Sequence, residues 1–118
     1  MSTFAVDITV ADLGLSRPGR QISALVDTGA AYTMLPMDLI EEIGARPAAS
    51  RQVVFADGRE ANWPLTYVWI TLDGEDGPTL CLIGPRGATP LLGALTLEQF
   101  ALGVDPVNQR LVPIRSHI

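Results

Sequence analysis

A chain of 118 residues that is 47% hydrophobic and only 18% charged carries enough apolar material for one folded core and too little charge for a disordered segment. Its net charge of −5, with eight arginines and no lysine spread singly along the sequence, excludes the concentrated basic surface that general nucleic-acid binding needs. No apolar run reaches membrane-spanning length, residues 1–15 lack the order of a secretion signal, and the lone Cys81 cannot form an intrachain disulfide; the expectation is one soluble, cytoplasmic domain over residues 1–118.

In chain order, Phe4, Val6, Ile8 and Val10 alternate with Asp7 and Thr9, the period of a half-buried strand. Residues 13–19 are turn chemistry, clearest at Pro18-Gly19. Residues 21–26 return as a second strand whose apolar end runs straight into Asp27, Thr28 and Gly29. An apolar strand that ends on a carboxylate is costly, because an unpaired buried charge is strongly disfavoured, and such a group persists where its chemistry is used. The Thr28 hydroxyl can fix a tight loop, and Gly29 lets backbone approach closely. Residues 35–44 read as a short helix: Pro36 suits its start, Asp38, Glu41 and Glu42 favour the positive end of its dipole, and Gly44 stops it. Leu39, Ile40 and Ile43 give that helix one apolar face.

Residues 47–50 read as linker and 51–56 as extended chain. Asp57-Gly58 then predicts a two-residue type I′ hairpin that sets Ala56 against Arg59, Phe55 against Glu60 and Val54 against Ala61. Residues 65–72, β-branched and aromatic, form the strongest strand pattern, and residues 73–77 an acidic, solvated turn. Residues 79–83 are a further strand, followed by the loop Gly84-Pro85-Arg86-Gly87 and a short buried strand, Leu91-Leu92, ending on Gly93. Residues 94–102 suit a helix with Thr96 and Gln99 at capping-box spacing and Gly103 as its stop. Val104-Asp105 and residues 110–112 close the chain as a hairpin. The order strand, glycine, helix, glycine occurs at residues 24–44 and again at 91–103.

Several chemistries lack their residues. His117 is the only histidine and reads as a tail residue, which leaves Ser/His/Asp and Cys/His nucleophile systems without a base. One Cys and one His cannot make a zinc site, and Gly84 and Gly87 have neither the lysine nor the spacing of a phosphate-binding loop. Cys81, Trp63 and Trp69 read as packing residues, with a substrate role beside the flap as the alternative for Trp63.

Taken together and in this order, these pieces resemble the retropepsin family, the single-lobe aspartic proteases of retroviruses and their cellular and bacterial relatives, from about residue 4 to residue 112. Asp27-Thr28-Gly29 matches the catalytic triplet, the Asp57-Gly58 hairpin stands where the family has its flap, Gly84-Pro85 matches a loop lining the substrate groove, and Leu91-Leu92-Gly93 matches the motif before the last helix. The chain departs at Ala94, where viral enzymes carry an arginine that braces the active-site loop, and at Ala31, where they carry an aspartate. The resemblance implies a mainly β fold, a closed barrel-like lobe with a flap hairpin and two short helices. It further implies an aspartic endopeptidase with Asp27, Thr28 and Gly29 as catalytic residues, without cofactor or metal. Leu25, Ala30, Ala31, Ala56, Asp57, Gly58 and Leu91 would then bind substrate, an extended peptide held by strand-type hydrogen bonds.

Peptide hydrolysis by carboxylates needs both a base and an acid, and a chain with one Asp-Thr-Gly supplies one aspartate. Two copies must therefore meet with their Asp27 carboxylates together, sharing a proton because adjacent carboxylates resist double ionisation. The expected partners are thus a second copy and a peptide or protein substrate, with no nucleic acid and no membrane. The alternative is a catalytically silent member of the same fold that serves as a peptide-binding or oligomerisation module; such a module has no need to bury paired acids.

Overall fold

The computed structural model describes residues 3–115, and His117 lies outside them. The alternating segments become strands β1 (Ala5–Asp12) and β2 (Arg20–Val26), paired antiparallel from Ala5↔Leu25 to Val10↔Arg20. β3 (Thr33–Pro36) leads into helix α1 (Met37–Glu42); β4 (Ala49–Val54), β5 (Glu60–Leu72) and β6 (Glu75–Gly84) follow as a meander. β7 (Leu91–Leu92), helix α2 (Ala94–Gln99), β8 (Leu102–Asp105) and β9 (Arg110–Pro113) complete the order.

The sheet order β1-β2-β7-β3-β6-β5-β4 closes on itself because β1 also pairs with β5, from Thr9↔Thr71 to Asp12↔Val68. Six strands thus form a closed barrel, with β4 outside it on the edge of β5 and β8-β9 as a separate ribbon. Closure leaves those six strands without a free edge on which another chain could template. The interior is apolar: Ile8 and Val10 of β1, Val26 of β2, Leu35 of β3, Val68 and Ile70 of β5, and Leu92 of β7 are all at most 4% exposed. Each such side chain contributes about 1.5–3 kcal/mol by leaving water. Leu39 and Ile40 of α1, and Leu97 and Phe100 at α2, cap this core from outside the sheet. Cys81 is one of its packing residues, and burial pushes its thiol up to about 12.

Four local expectations need correction. β3 takes residues that read as loop and helix start: Pro36 is extended at φ −71°, ψ 151°, so the helix begins at Met37, while Gly44 stands just past its end at φ +81°. Residues 49 and 50 belong to β4, and β5 begins at Glu60 and runs through Pro64. α2 stops at Gln99, with Ala101 at φ +54° making the reversal, and Gly103 lies inside β8 instead.

The fourth concerns turns. The Asp57-Gly58 hairpin pairs Val54 with Glu60 and Val53 with Ala61, one residue out of the expected register. The Phe55 amide donates to the Arg59 carbonyl (2.8 Å) and the Gly58 amide to the Phe55 carbonyl (2.9 Å), enclosing a turn in which only Gly58, at φ +87°, is left-handed. The Asp57 carboxylate explains this: it accepts from the Arg59 amide at 3.0 Å and pairs with the Arg59 guanidinium at 2.7 Å, a local bond that a positive-φ aspartate is not needed to make. The two-residue turn with both central residues left-handed occurs at the other Asp-Gly, Asp73 (φ +53°) and Gly74 (φ +82°), between Leu72 and Glu75, so residues 75–77, read as part of an acidic turn, belong to β6 instead. A one-residue slip in a strand changes the face of every side chain. Here it puts Arg51 and Val53 on one face with Trp63 and Ala61, and leaves Val54 67% exposed on the other.

Candidate active site

Asp27 stands half-buried at the point where β2 leaves the barrel. Backbone hydrogen bonds tie this point to two other segments. The Val26 amide donates to the Phe4 carbonyl (2.8 Å), the Leu25 amide to the Pro90 carbonyl (2.9 Å) and the Asp27 amide to the Leu92 carbonyl (3.0 Å). The last two extend the parallel pairing of β2 with β7, Leu25↔Leu91 and Val26↔Leu92. On the far side, the carbonyls of Ala30 and Ala31 accept from the amides of Ala94 (2.8 Å) and Leu95 (3.0 Å). Those amides open α2 and have no partner within the helix, so the loop satisfies them while they fix the loop. Within it, the Gly29 amide donates to Asp27 Oδ1 at 3.0 Å, which sets the plane of the carboxylate.

A second, buried layer holds this arrangement. Gly93 lies so close to the preceding loop that a Cβ there would stand 2.4 Å from the Tyr32 carbonyl carbon and 2.8 Å from the Thr33 nitrogen, both backbone atoms that cannot step aside. Its amide donates to Thr33 Oγ1 at 3.0 Å, and Thr33 Oγ1 lies 2.6 Å from Thr96 Oγ1. Thr33 and Thr96 are almost fully buried, and each hydroxyl has its partner in the other. Thr96 is therefore not the helix cap its spacing predicted; it pins α2 to β3 beneath the Asp27 loop.

A groove of about 450 Å³ opens beside the loop. Gly29, Ala30, Ala31 and Leu91 line one part, Gln52, Val53, Val54, Phe55 and Trp63 of the β4-β5 hairpin another, and Tyr32, Met34 and Leu82 the rest. Phe55 and Trp63 meet edge-on, with ring centres 5.8 Å apart. Asp27 and Thr28 line an adjoining cavity of about 440 Å³ with Thr3, Phe4, Val104 and Pro106. Of the residues singled out from the sequence, Gly29, Ala30, Ala31 and Leu91 therefore meet in the groove, and Asp27 and Thr28 stand next to it. Leu25 is absent from its lining, and Ala56, Asp57 and Gly58 form the exposed hairpin tip beyond it. The sequence reading missed Tyr32, Met34, Gln52, Val53, Val54, Phe55 and Leu82 as groove residues. Val53 would have followed from the correct hairpin register; Met34 and Leu82 are neighbours in the β3-β6 pairing, which became visible only with β3.

The loop after β6 is anchored from outside. Arg86 forks onto Glu41 of α1 at 2.5 and 2.8 Å, and Asp38 Oδ1 accepts from the Gly87 amide at 3.0 Å. The Gly87 amide, then its own backbone amide and last the Arg86 charge hold the Asp38 carboxyl below its ordinary range, and the Arg86 hydrogen bond does the same for Glu41. Among the described residues no cluster of His, Cys, Asp or Glu could hold a metal ion, and no helix is long and apolar enough to cross a membrane.

The sequence model of a family described as aspartyl protease matches residues 8–103. The protease of EIAV, solved in complex with the inhibitor HBY-793, has a similar fold: the TM-score is 0.67 at 18% identity, covering 84% of this chain and 88% of that one. The simian foamy virus (mac) protease, a solution structure, gives a TM-score of 0.60 at 18% identity over 82% of this chain and 94% of that one. No similar sequence was found among curated proteins.

Proposed function

The chain belongs to the aspartyl protease family, and from that premise we propose that it is an aspartic endopeptidase acting as a symmetric homodimer, each copy supplying its Asp27 to one shared dyad. The observation that carries this reading is the rigid support under Asp27: a half-buried carboxylate, oriented by the Gly29 amide, on a loop hydrogen-bonded at both ends to residues 90–95. Such support is what a group needs if it must hold its position while a proton moves.

Two Asp27 carboxylates side by side hold one proton between them, as aspartic-protease dyads do. The ionised one takes a proton from water as that water attacks the scissile carbonyl; the protonated one donates to the group being cleaved. Thr28 and Gly29 complete the loop that keeps both in register. The apolar wall beside Asp27, built from Phe4, Val26, Val104 and Pro106, supports the approach of a second copy at this face. Ala30, Ala31 and Leu91 form the floor on which an extended peptide lies. The β4-β5 hairpin acts as the flap, its backbone adding strand-type hydrogen bonds and its tip, Ala56, Asp57 and Gly58, reaching over the bound chain.

The test is digestion of a peptide library by the wild-type protein beside Asp27→Asn, with and without pepstatin, while sedimentation and activity are followed across a dilution series. Pepstatin-sensitive cleavage that disappears in the variant and declines as dimer dissociates is the expected result. Cleavage that persists in Asp27→Asn sends the chemistry to another residue, and full activity in a monomer rules out the shared dyad.

A further inference from the structure

Beside the groove, on its lining residue Tyr32, stands a cation that pairs with no carboxylate among the described residues. Arg51, exposed on β4, shares its face of the hairpin with Val53 and with its cross-strand partner Trp63, both of which line the groove. Its guanidinium donates to the Tyr32 hydroxyl at 2.6 Å and lies 5.4 Å from the centre of the Tyr32 ring, itself a groove residue. Other arginines nearby are committed to acids: Arg59 pairs with Asp57 at 2.7 Å and Arg86 with Glu41 at 2.5 Å. Among the described residues Arg51 has no acid within ion-pair distance, and the floor formed by Gly29, Ala30 and Ala31 supplies none. A guanidinium offers five donors in a planar fork, and the neutral Tyr32 hydroxyl occupies one.

We propose that Arg51 is a specificity-determining residue that selects an aspartate or glutamate side chain in an extended peptide whose apolar residues fill the adjoining groove. The inference rests on reading this groove as the peptide site. The acidic side chain takes a forked place on the guanidinium beside Tyr32, while Val53, Phe55, Trp63 and Leu91 enclose its apolar neighbours. The selection is positional: a protein of net charge −5 repels acidic peptides as a whole, so a preference for acid at one position requires a local cation. In a two-fold dimer the same position recurs on each flank of the apolar centre.

The experiment measures binding, so that it stands apart from turnover. An array of extended peptides with an apolar centre and Glu, Gln or Lys scanned through the flanking positions is bound by Asp27→Asn protein. The array is then repeated with Arg51→Gln, Arg51→Glu or Tyr32→Phe added. At one position on each flank Glu should bind about five- to tenfold more tightly than Gln, the size expected of a partly exposed charge-assisted fork, and the ratio should shrink with added salt. Arg51→Gln should bring that ratio to one, and Arg51→Glu should turn the preference to Lys. Tyr32→Phe removes only the neutral partner and should keep the preference for Glu. The proposal is overturned if no position prefers Glu, if the preference survives Arg51→Gln, or if Arg51→Gln weakens Glu and Gln peptides equally, which would make Arg51 a brace for the hairpin. Glu-selective binding of peptides that the wild-type protein never cuts would uphold this proposal and strike the endopeptidase reading; binding of no peptide at all would overturn the proposal.

Discussion

Residues 27–31 and residues 54–60 both border the groove region, yet they are held in opposite ways. The first segment is sewn to the barrel by backbone bonds to Leu92, Ala94 and Leu95 and rests on Gly93, which packs against backbone with no room for one more carbon. The second ends in a tip whose residues are exposed and whose Gly58 has nothing within 4 Å of the place a Cβ would occupy. Local stability follows packed neighbours and protected hydrogen bonds, so the two differ in how easily they open. The arrangement suits the proposed function: a reacting carboxylate at Asp27 would need a fixed place, and a hairpin covering a substrate would need to lift.

The widest separation between the two regions should appear in Asp27→Asn. Proposed to remove the acid-base pair, it should lower turnover by about a thousandfold or more while thermal unfolding stays level or rises, because repulsion across the dyad is relieved. Steady-state kinetics beside a melting curve checks both halves. Next comes Gly93→Ala. A methyl group 2.4 Å from the Tyr32 backbone must push the two segments apart, and the expected loss is about 3 kcal/mol in denaturant unfolding. A loss under about 1 kcal/mol would mean that the Asp27 loop is less rigid than its contacts imply.

Thr33→Val probes the same support without adding bulk. It leaves the Gly93 amide and the Thr96 hydroxyl without their partner in a buried place, which should cost about 2 kcal/mol. Gly58→Val should do less to stability, about 1 kcal/mol from the left-handed backbone alone, since φ +87° disfavours a β-branched residue and no neighbour is displaced. If the tip closes over substrate, catalytic efficiency should nevertheless drop. Hydrogen exchange at residues 56–59, slowed by a peptide-like inhibitor in the wild type, is the direct measurement.

The same contrast explains what could be read without coordinates. The strands of the barrel carry their own period, and the Asp27 loop was legible because an apolar strand ending on Asp-Thr-Gly is a local pattern with a chemical cost. β3 was not, because Thr33-Met34-Leu35-Pro36 is too short to show a period and is extended only through its pairing with β6 and β7. Thr96 misled for a related reason: its spacing to Gln99 suits a cap, but a partner 63 residues away decides what the hydroxyl does. The groove residues of the hairpin failed by one residue of register, which the two Asp-Gly turns could not settle between them. Both have the residues of a type I′ turn, but Asp73 is left-handed while Asp57 is not and pairs instead with Arg59.

That pairing yields the smallest and most local of the expected effects. The Arg59 amide, and then the Arg59 side chain, hold the Asp57 carboxyl below its ordinary value of 3.8. A group whose folded value is depressed contributes stability above its unfolded value and loses it as pH falls through the folded one. The tip should therefore loosen at acidic pH, below the ordinary carboxylate range, and be indifferent to pH above it. Asp57 and Arg59 are both well exposed, so solvent screening keeps the consequence within the tip and out of global unfolding. The bonds that fix the Asp27 loop to residues 90–95 are between backbone groups, which do not titrate in this range. Protection of the Arg59 amide, measured by NMR relative to the Ala94 amide, should thus decline on acidification in the wild type. In Asp57→Asn the side-chain oxygen can still accept from that amide but cannot be protonated, and the decline should vanish. Equal loss of protection at Arg59 and Ala94 would show the two regions opening together, and the contrast between a fixed loop and a free hairpin would fail at its simplest point.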